Sequence, residues 1–316
     1  MSPDREYELA EAYAGARPRL ISVAYAVLGS HSEAEDVVSD CWLRLVAADE
    51  REVIRDLDAW TTVTVARAAL DTLRSARKRR EIYTGPWLPE PIVGYGPGVD
   101  ITGDPADQVT LDDTVRYALL VVLESLSPAE RTAWVLHDLF RLDFNVVAEA
   151  VGRTPAAVRQ LALRARNHVN SQAPRVDVTP LEHDAVVRSF LVAAGGGDLG
   201  PLVSALDPKV VLTSDGGGLV TAARQPILGA EKVGRFLRGI LTSLPPDERL
   251  EPIVLNRELG IGIFNGDLLT TAVSITLDGG RIIRIDVIRS PEKLPVVRLR
   301  DLRFPSDRDD REEPSR

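Results

Sequence analysis

Arg159, Arg164, Arg166, Asn167 and His168 fall on one side of a helical repeat whose other side is Val158, Leu161, Ala162, Ala165 and Val169. A guanidinium fork matches the paired acceptors of a guanine edge and the oxygens of a phosphate, so this open face has the chemistry to read or grip nucleic acid. A second cationic cluster, Arg74, Arg77, Lys78, Arg79 and Arg80, closes a segment that starts at Trp60. Five cations in seven residues exceed what a helix C-terminus needs, and a phosphate-contacting patch fits at least as well.

The elements that must position the first cluster are legible in the residues before it. Phe144, Val147, Ala150 and Val151 are spaced for one face of a short helix. Gly152 stops that helix, Thr154 is placed to cap the next, and Pro155 fits a first helical position that needs no N–H. The pattern predicts a helix-turn-helix with a cationic second helix. It also fits a helical hairpin with a solvated basic face.

Further towards the N-terminus the chain predicts a helix over 5–29 and another that buries Val37, Val38, Cys41, Trp42 and Leu45. Ser30 or Ser32 is placed to cap the second. Its other face shows Glu35, Asp36, Asp40 and Arg44, which on pattern alone is a solvated face. The third helix has Trp60, Val63, Ala66, Leu70 and Leu73 as its buried stripe. A Pro- and Gly-rich stretch follows, a linker by composition. It carries Trp87, Leu88, Ile92 and Tyr95, more apolar surface than a solvated linker holds, so it is expected to dock.

Hydrophobic content of 44% and charged content of 27% place the chain among soluble globular proteins. It has no apolar run long enough to span a bilayer, and its charged N-terminus lacks a secretory apolar core, so a cytoplasmic address is expected. One cysteine rules out an intrachain disulfide, and Cys41 reads as a small buried hydrophobe. The four histidines show no ligand spacing, so neither a metal nor a cofactor is expected. The net charge of −9 does not suit a protein that grips DNA alone; it suits one that borrows a larger partner.

The order of an EAEDVV helix, a Trp-led helix ending in LDTLRSARKRR, a linker and a helix-turn-helix resembles the extracytoplasmic-function sigma factors of bacterial RNA polymerase over residues 8 to 172. The resemblance implies that Glu35, Asp36, Asp40 and Arg44 face the polymerase core, at its beta-prime clamp helices, and that a second contact falls on the beta flap. It implies that Asp58, Trp60, Thr61, Thr64 and Arg67 read the minus-ten element and hold a flipped base, with Arg74, Arg77, Lys78 and Arg80 on phosphates. It places Arg153, Thr154, Ala157, Arg159 and Gln160 at the minus-thirty-five element, with Arg164 and Arg166 on its phosphates.

After residue 180 the pattern changes to two helices broken at a triple glycine, followed by short strands, among them 219–223. Asn265-Gly266 and Asp278-Gly279-Gly280 are hairpin signals. This α+β order, with a curved antiparallel sheet, resembles the SnoaL-like branch of the nuclear-transport-factor-two-like fold. Sigma factors with this extension share the linker motif Trp87-Leu88-Pro89-Glu90-Pro91 and the turn Asp215-Gly216-Gly217-Gly218. Where they usually have a basic residue after that turn, this chain has Leu219; their Asn-Pro-Asp-Lys-Leu motif stands here as Ser290-Pro291-Glu292-Lys293-Leu294.

The expected organisation is therefore multi-domain: two all-α sigma domains (1–80 and 111–173) joined by the linker 81–110, a SnoaL-like domain over 180–295, and a disordered tail over 296–316. The implied function is promoter-specific transcription initiation, not enzymatic, with the added domain as a built-in regulator tethered at high effective concentration. The alternative is a DNA-binding regulator fused to a cone that senses a small ligand or catalyses, with His183, Asp198 and Asp215 as acid-base candidates.

Overall fold

The computed structural model describes residues 3–80, 83, 85–94, 115–172, 178–196 and 200–299. The chain divides into two compact units.

The first unit begins with three helices, α1 (Pro3–Leu28), α2 (His31–Asp49) and α3 (Leu57–Arg80). Ser30 caps α2, its hydroxyl accepting from the Glu33 N–H at 3.2 Å. Cys41 is 1% exposed, and burial pushes its thiol up to about 11, as expected of a small core hydrophobe. A second helical group follows: α4 (Tyr117–Leu123), whose residues 117 and 118 fall in the second unit, α5 (Pro128–Trp134), a π-helical turn (Val135–Leu139), α6 (Phe144–Val151) and α7 (Pro155–Gln172). Ser127 and Glu130 form a reciprocal capping box at α5. Gly152, at φ 69°, ends α6 in the left-handed conformation, and Thr154 caps α7 by accepting from the Ala157 N–H at 3.3 Å.

The two helical groups share one core. Val63, Ala66 and Leu70 of α3 pack with Val147, Ala150 and Val151 of α6 and with Val158 and Ala162 of α7. Alanines alternate with valines and Leu70 along this seam.

The second unit holds a seven-stranded sheet: β1 (Val93–Gly94), β2 (Leu206–Asp215), β3 (Ile227–Leu228), β4 (Glu248–Leu255), β5 (Glu258–Asn265), β6 (Leu268–Asp278) and β7 (Arg281–Ile288), in the order β1-β4-β5-β6-β7-β2-β3. Helices α8 (Pro180–Gly196), α9 (Gly200–Ala205) and α10 (Ala230–Thr242) accompany it. Val187, Phe190, Val233 and Leu237 from the helices meet Leu212, Ile275 and Ile285 from the strands. That is the expected α+β order of helices and strands.

Four features correct the sequence expectation. The sheet is mixed, because β2 runs parallel to β7. Residues 219–223 form no strand: the Leu219 and Val220 N–H groups turn back to the Gly216 carbonyl, and β3 forms later, at 227–228. Val93 and Gly94 of the linker pair with Leu255 and Val254, adding an edge strand to the sheet. Residues 296–299, placed in the tail, lie beside β6, with the Leu299 N–H bonded to the Asp267 carbonyl; residues 300–316 lie outside the described residues. Glycines at positive φ make the expected turns at 266 and 279–280, whereas the β4–β5 hairpin turns on Asn256 and Arg257, at φ 47° and 68°.

Candidate functional site

Helix α7 presents Ala156, Ala157, Arg159, Gln160, Leu163 and Asn167 to solvent, and Arg153 and Thr154 are exposed in the turn before it. These are the base-reading candidates, and they share one face. Leu163, 45% exposed on that face, was not singled out by the sequence reading. Arg164 and Arg166 are engaged within the same helical group: the Arg164 Nε donates to Glu130 at 2.8 Å and the Arg166 Nε to Asp138 at 2.6 Å. Arg164 and then Ser127 hold the Glu130 carboxyl below the usual carboxylate range. A lowered folded pKa contributes stability above the ordinary glutamate value that is lost as pH falls through the lowered one. Melting curves across acid pH are therefore expected to converge for the natural chain and Glu130→Gln, and to separate above that window, with the natural chain the more stable.

Helix α3 places its candidates differently. Thr61 is 2% exposed, and its hydroxyl donates to the Leu57 carbonyl at 2.7 Å; in this arrangement it is turned away from solvent. Trp60 and Thr64 are half-buried. Asp58 is exposed and paired with Arg19, which also reaches Thr62 at 2.8 Å. Arg74 pairs with Asp71 at 3.0 Å, and Lys78 is exposed. The Arg80 side chain lies outside the described residues.

Arg67 and Arg77 have a use the sequence did not disclose. The Arg67 guanidinium donates to the Glu149 carbonyl in the last turn of α6 at 2.8 Å, and Arg77 donates to the Leu126 carbonyl just past α4 at 2.6 Å. Arg131 makes the reciprocal contact from α5, donating to the Ala26 carbonyl in the last turn of α1 at 3.1 Å. Carbonyls in the last turn of a helix lack intrahelical partners and carry the negative end of the dipole, so Arg67 and Arg131 each satisfy a group that its own helix cannot, while Arg77 satisfies a carbonyl of the loop between α4 and α5. Three such contacts and the shared core hold the two helical groups together.

On α2 the predicted face is open. Asp36, Asp40 and Arg44 are exposed, and Glu35 is half-buried beside His31 at 3.6 Å. Leu43, 67% exposed, stands among them. The sequence reading gave it no role, although an apolar residue within a charged stripe is a signal for a partner surface.

The linker motif has its seat in the second unit. The Asp215 carboxylate is fully buried and takes four donors: the Tyr83 hydroxyl, the Gly217 N–H at 2.9 Å, the Leu88 N–H at 2.8 Å and the Lys293 ammonium at 2.6 Å. Lys293 also donates to the Leu88 carbonyl at 2.7 Å and lies 3.1 Å from the centroid of the Trp87 ring. Lys293, from the Ser290–Leu294 motif, is the cation paired with this turn, while Leu219 is exposed. Asn256 brackets Ile92, accepting from its N–H and donating to its carbonyl, and the Tyr117 hydroxyl donates to the Pro89 carbonyl at 2.9 Å. Pro89 and Pro91 are buried, and Glu90 is half-buried. A side chain at Gly217 would meet the Ser290 hydroxyl at 2.5 Å, and one at Gly216 would meet the Val220 carbonyl at 2.3 Å; Gly218 holds φ 72°. Tyr83 was not anticipated. Burial, and then the Asp215 hydrogen bond, push its phenol up.

Asp215 is therefore occupied by the linker. The buried His183 Nε2 is 2.8 Å from the Ile275 carbonyl, and Asp198 lies outside the described residues. Among the described residues no three His, Cys, Asp or Glu side chains are grouped to hold a metal, and no helix is long and apolar enough to cross a membrane.

The sigma-70 region 2 family model matches residues 12–79. The chain is 39% identical to the ECF RNA polymerase sigma factor SigJ of Mycobacterium tuberculosis over 91% of its own length and 93% of that protein's. It is 34% identical to the probable ECF RNA polymerase sigma factor SigI of the same species, over 89% of its length and 93% of the relative's. The crystal structure of the M. tuberculosis SigJ superposes with a TM-score of 0.70 at 37% identity, covering 90% of this chain and 97% of that one.

Proposed function

The chain belongs to the extracytoplasmic-function (ECF) RNA polymerase sigma factors, and from that premise we propose that it directs promoter-specific initiation from a closed resting state. Helix α2 docks on the polymerase clamp helices through Glu35, Asp36, Asp40 and Arg44, with Leu43 as the apolar anchor, and the second helical group docks on the beta flap. Helix α3 then reads the minus-ten element through Asp58, Trp60, Thr61, Thr64 and Arg67, and α7 reads the minus-thirty-five element. The polymerase supplies most of the grip on DNA, which suits a net charge of −9.

The observation that carries the closed state is the seam between α3 and α6. Val63, Ala66 and Leu70 lie in the shared core, Thr61 is 2% exposed, and Arg67 is committed to the Glu149 carbonyl. A helix so engaged cannot receive an unstacked base, which needs an open pocket and a stacking partner. Core binding must therefore separate the two helical groups. The SnoaL-like domain regulates that step by holding the linker between them, which fixes how far they can part.

Run-off transcription with purified polymerase core tests this reading, comparing the full chain with one ending near residue 175. Both are expected to initiate at the same promoter, to different extents. Equal yields would sink the regulatory role, and no initiation at any promoter would sink the sigma activity.

A further inference from the structure

The Arg159 guanidinium lies 5.1 Å from the centroid of the Phe144 ring, and His137 stacks on the same ring at 3.7 Å between centroids and 26° between planes. The His137 Nδ1 is 2.9 Å from the Leu142 carbonyl. A carbonyl only accepts, so Nδ1 carries the proton and the imidazole is fixed in orientation. Leu142 carbonyl, His137, Phe144 and Arg159 thus form one column, running from the loop before α6 to the open face of α7.

The column depends on the π-helical turn. Val135–Leu139 holds one residue more per turn than an α-helix, and the Phe140 N–H closes it on the Val135 carbonyl at 3.0 Å. Arg141, at φ 58°, then reverses the chain so that Asp143 can cap α6. The same turn carries Asp138, which holds Arg166. Adjacent residues of this turn therefore engage both helices, Asp138 through an ion pair with Arg166 of α7 and His137 through a ring stack on Phe144 of α6.

We propose that Phe144 is a positioning residue that presets Arg159 for base recognition, with His137 and the π turn as its support. The inference rests on the reading of α7 as the base-reading helix. A free arginine samples many rotamers and loses that freedom when it docks on a base; one held over an aromatic face loses less. The benefit appears only at the base pair that Arg159 faces, which separates positioning from general stabilisation.

The test uses holoenzyme assembled from the full chain and polymerase core, selecting duplexes from a library randomised across the minus-thirty-five element. Phe144→Leu keeps apolar bulk without an aromatic face, and Phe144→Tyr keeps the face. Arg159→Ala is expected to flatten the preference at one position. Phe144→Leu is expected to weaken it about three- to tenfold at that same position, within the range of one good base contact, while Phe144→Tyr selects like the natural chain. If Arg159→Ala flattens the position but Phe144→Leu selects normally, the positioning role falls and the reading of α7 stands. If Arg159→Ala keeps every preference, both fall. If Phe144→Leu weakens all positions alike and lowers the melting temperature, Phe144 is only a packing residue and the proposal is overturned.

Discussion

Asp215→Ala is expected to cost the second unit about 3–5 kcal/mol, because it leaves the Lys293 ammonium buried without its counter-charge. Lys293 is 7% exposed along its side chain, and Asp215 is 0% exposed. The same substitution removes the acceptor of the Tyr83 hydroxyl and of the Leu88 and Gly217 N–H groups, so the linker loses its anchor as the domain loses stability. Lys293→Met is expected to cost much less. It leaves a carboxylate that keeps three of its four donors, and a carboxylate so bonded remains satisfied in a buried site. Chemical denaturation of the two variants checks the asymmetry. Limited proteolysis adds a second readout: cleavage between residues 83 and 94 should rise steeply for Asp215→Ala and modestly for Lys293→Met. Equal, small losses would mean that the seat relaxes to admit water and that the linker is held by its apolar residues alone.

Arg131→Ala is the second large effect, expected to destabilise the first unit by about 3 kcal/mol or more. Arg131 is 1% exposed, pairs with Glu124 and supplies the donor for the Ala26 carbonyl. Truncation removes the donor of the Ala26 carbonyl and a buried ion pair, and leaves a cavity where the side chain ran. The substitution also removes the contact that α5 makes to α1, so the loss should appear as opening of the seam. Hydrogen exchange is expected to rise along α3 from Thr61 to Leu70 while α2, on the far side of α1–α3, keeps its protection. A change confined to α5 would show that Arg131 stabilises its own helix and does not join the two groups.

Much of this architecture is written in short-range chemistry. Gly152, Thr154 and Pro155 specify the helix-turn-helix because each acts on neighbours within three residues, and the structure uses them in those roles. Asn265-Gly266 and Asp278-Gly279-Gly280 likewise make their turns. The apolar load of Trp87 and Leu88 announced that the linker docks, yet nothing local could name its partners. The Leu88 N–H meets Asp215 at a separation of 127 residues, and the Lys293 ammonium meets the Leu88 carbonyl at 205. The parallel pairing of β2 with β7 is hidden for the same reason. The 219–223 segment misled because its β-branched residues suit a strand, whereas Gly216 to Gly218 turn the backbone away from any partner. The Asn256-Arg257 hairpin carries no glycine and so gave no turn signal. Arg67 read as a minus-ten contact and Arg77 as a cation awaiting phosphate because a backbone carbonyl 82 or 49 residues away leaves no trace in the pattern around them.

On this proposal the two helical groups rest closed and part on the polymerase. Single-molecule energy transfer between dyes at Tyr7→Cys on α1 and Asn170→Cys on α7 tests it directly, since both sites are exposed and Cys41 is buried beyond labelling. The free protein is expected to occupy one high-transfer state, and addition of polymerase core is expected to move it to a low-transfer state before promoter DNA is present. An unchanged transfer efficiency in a holoenzyme that initiates transcription would contradict the closed resting state.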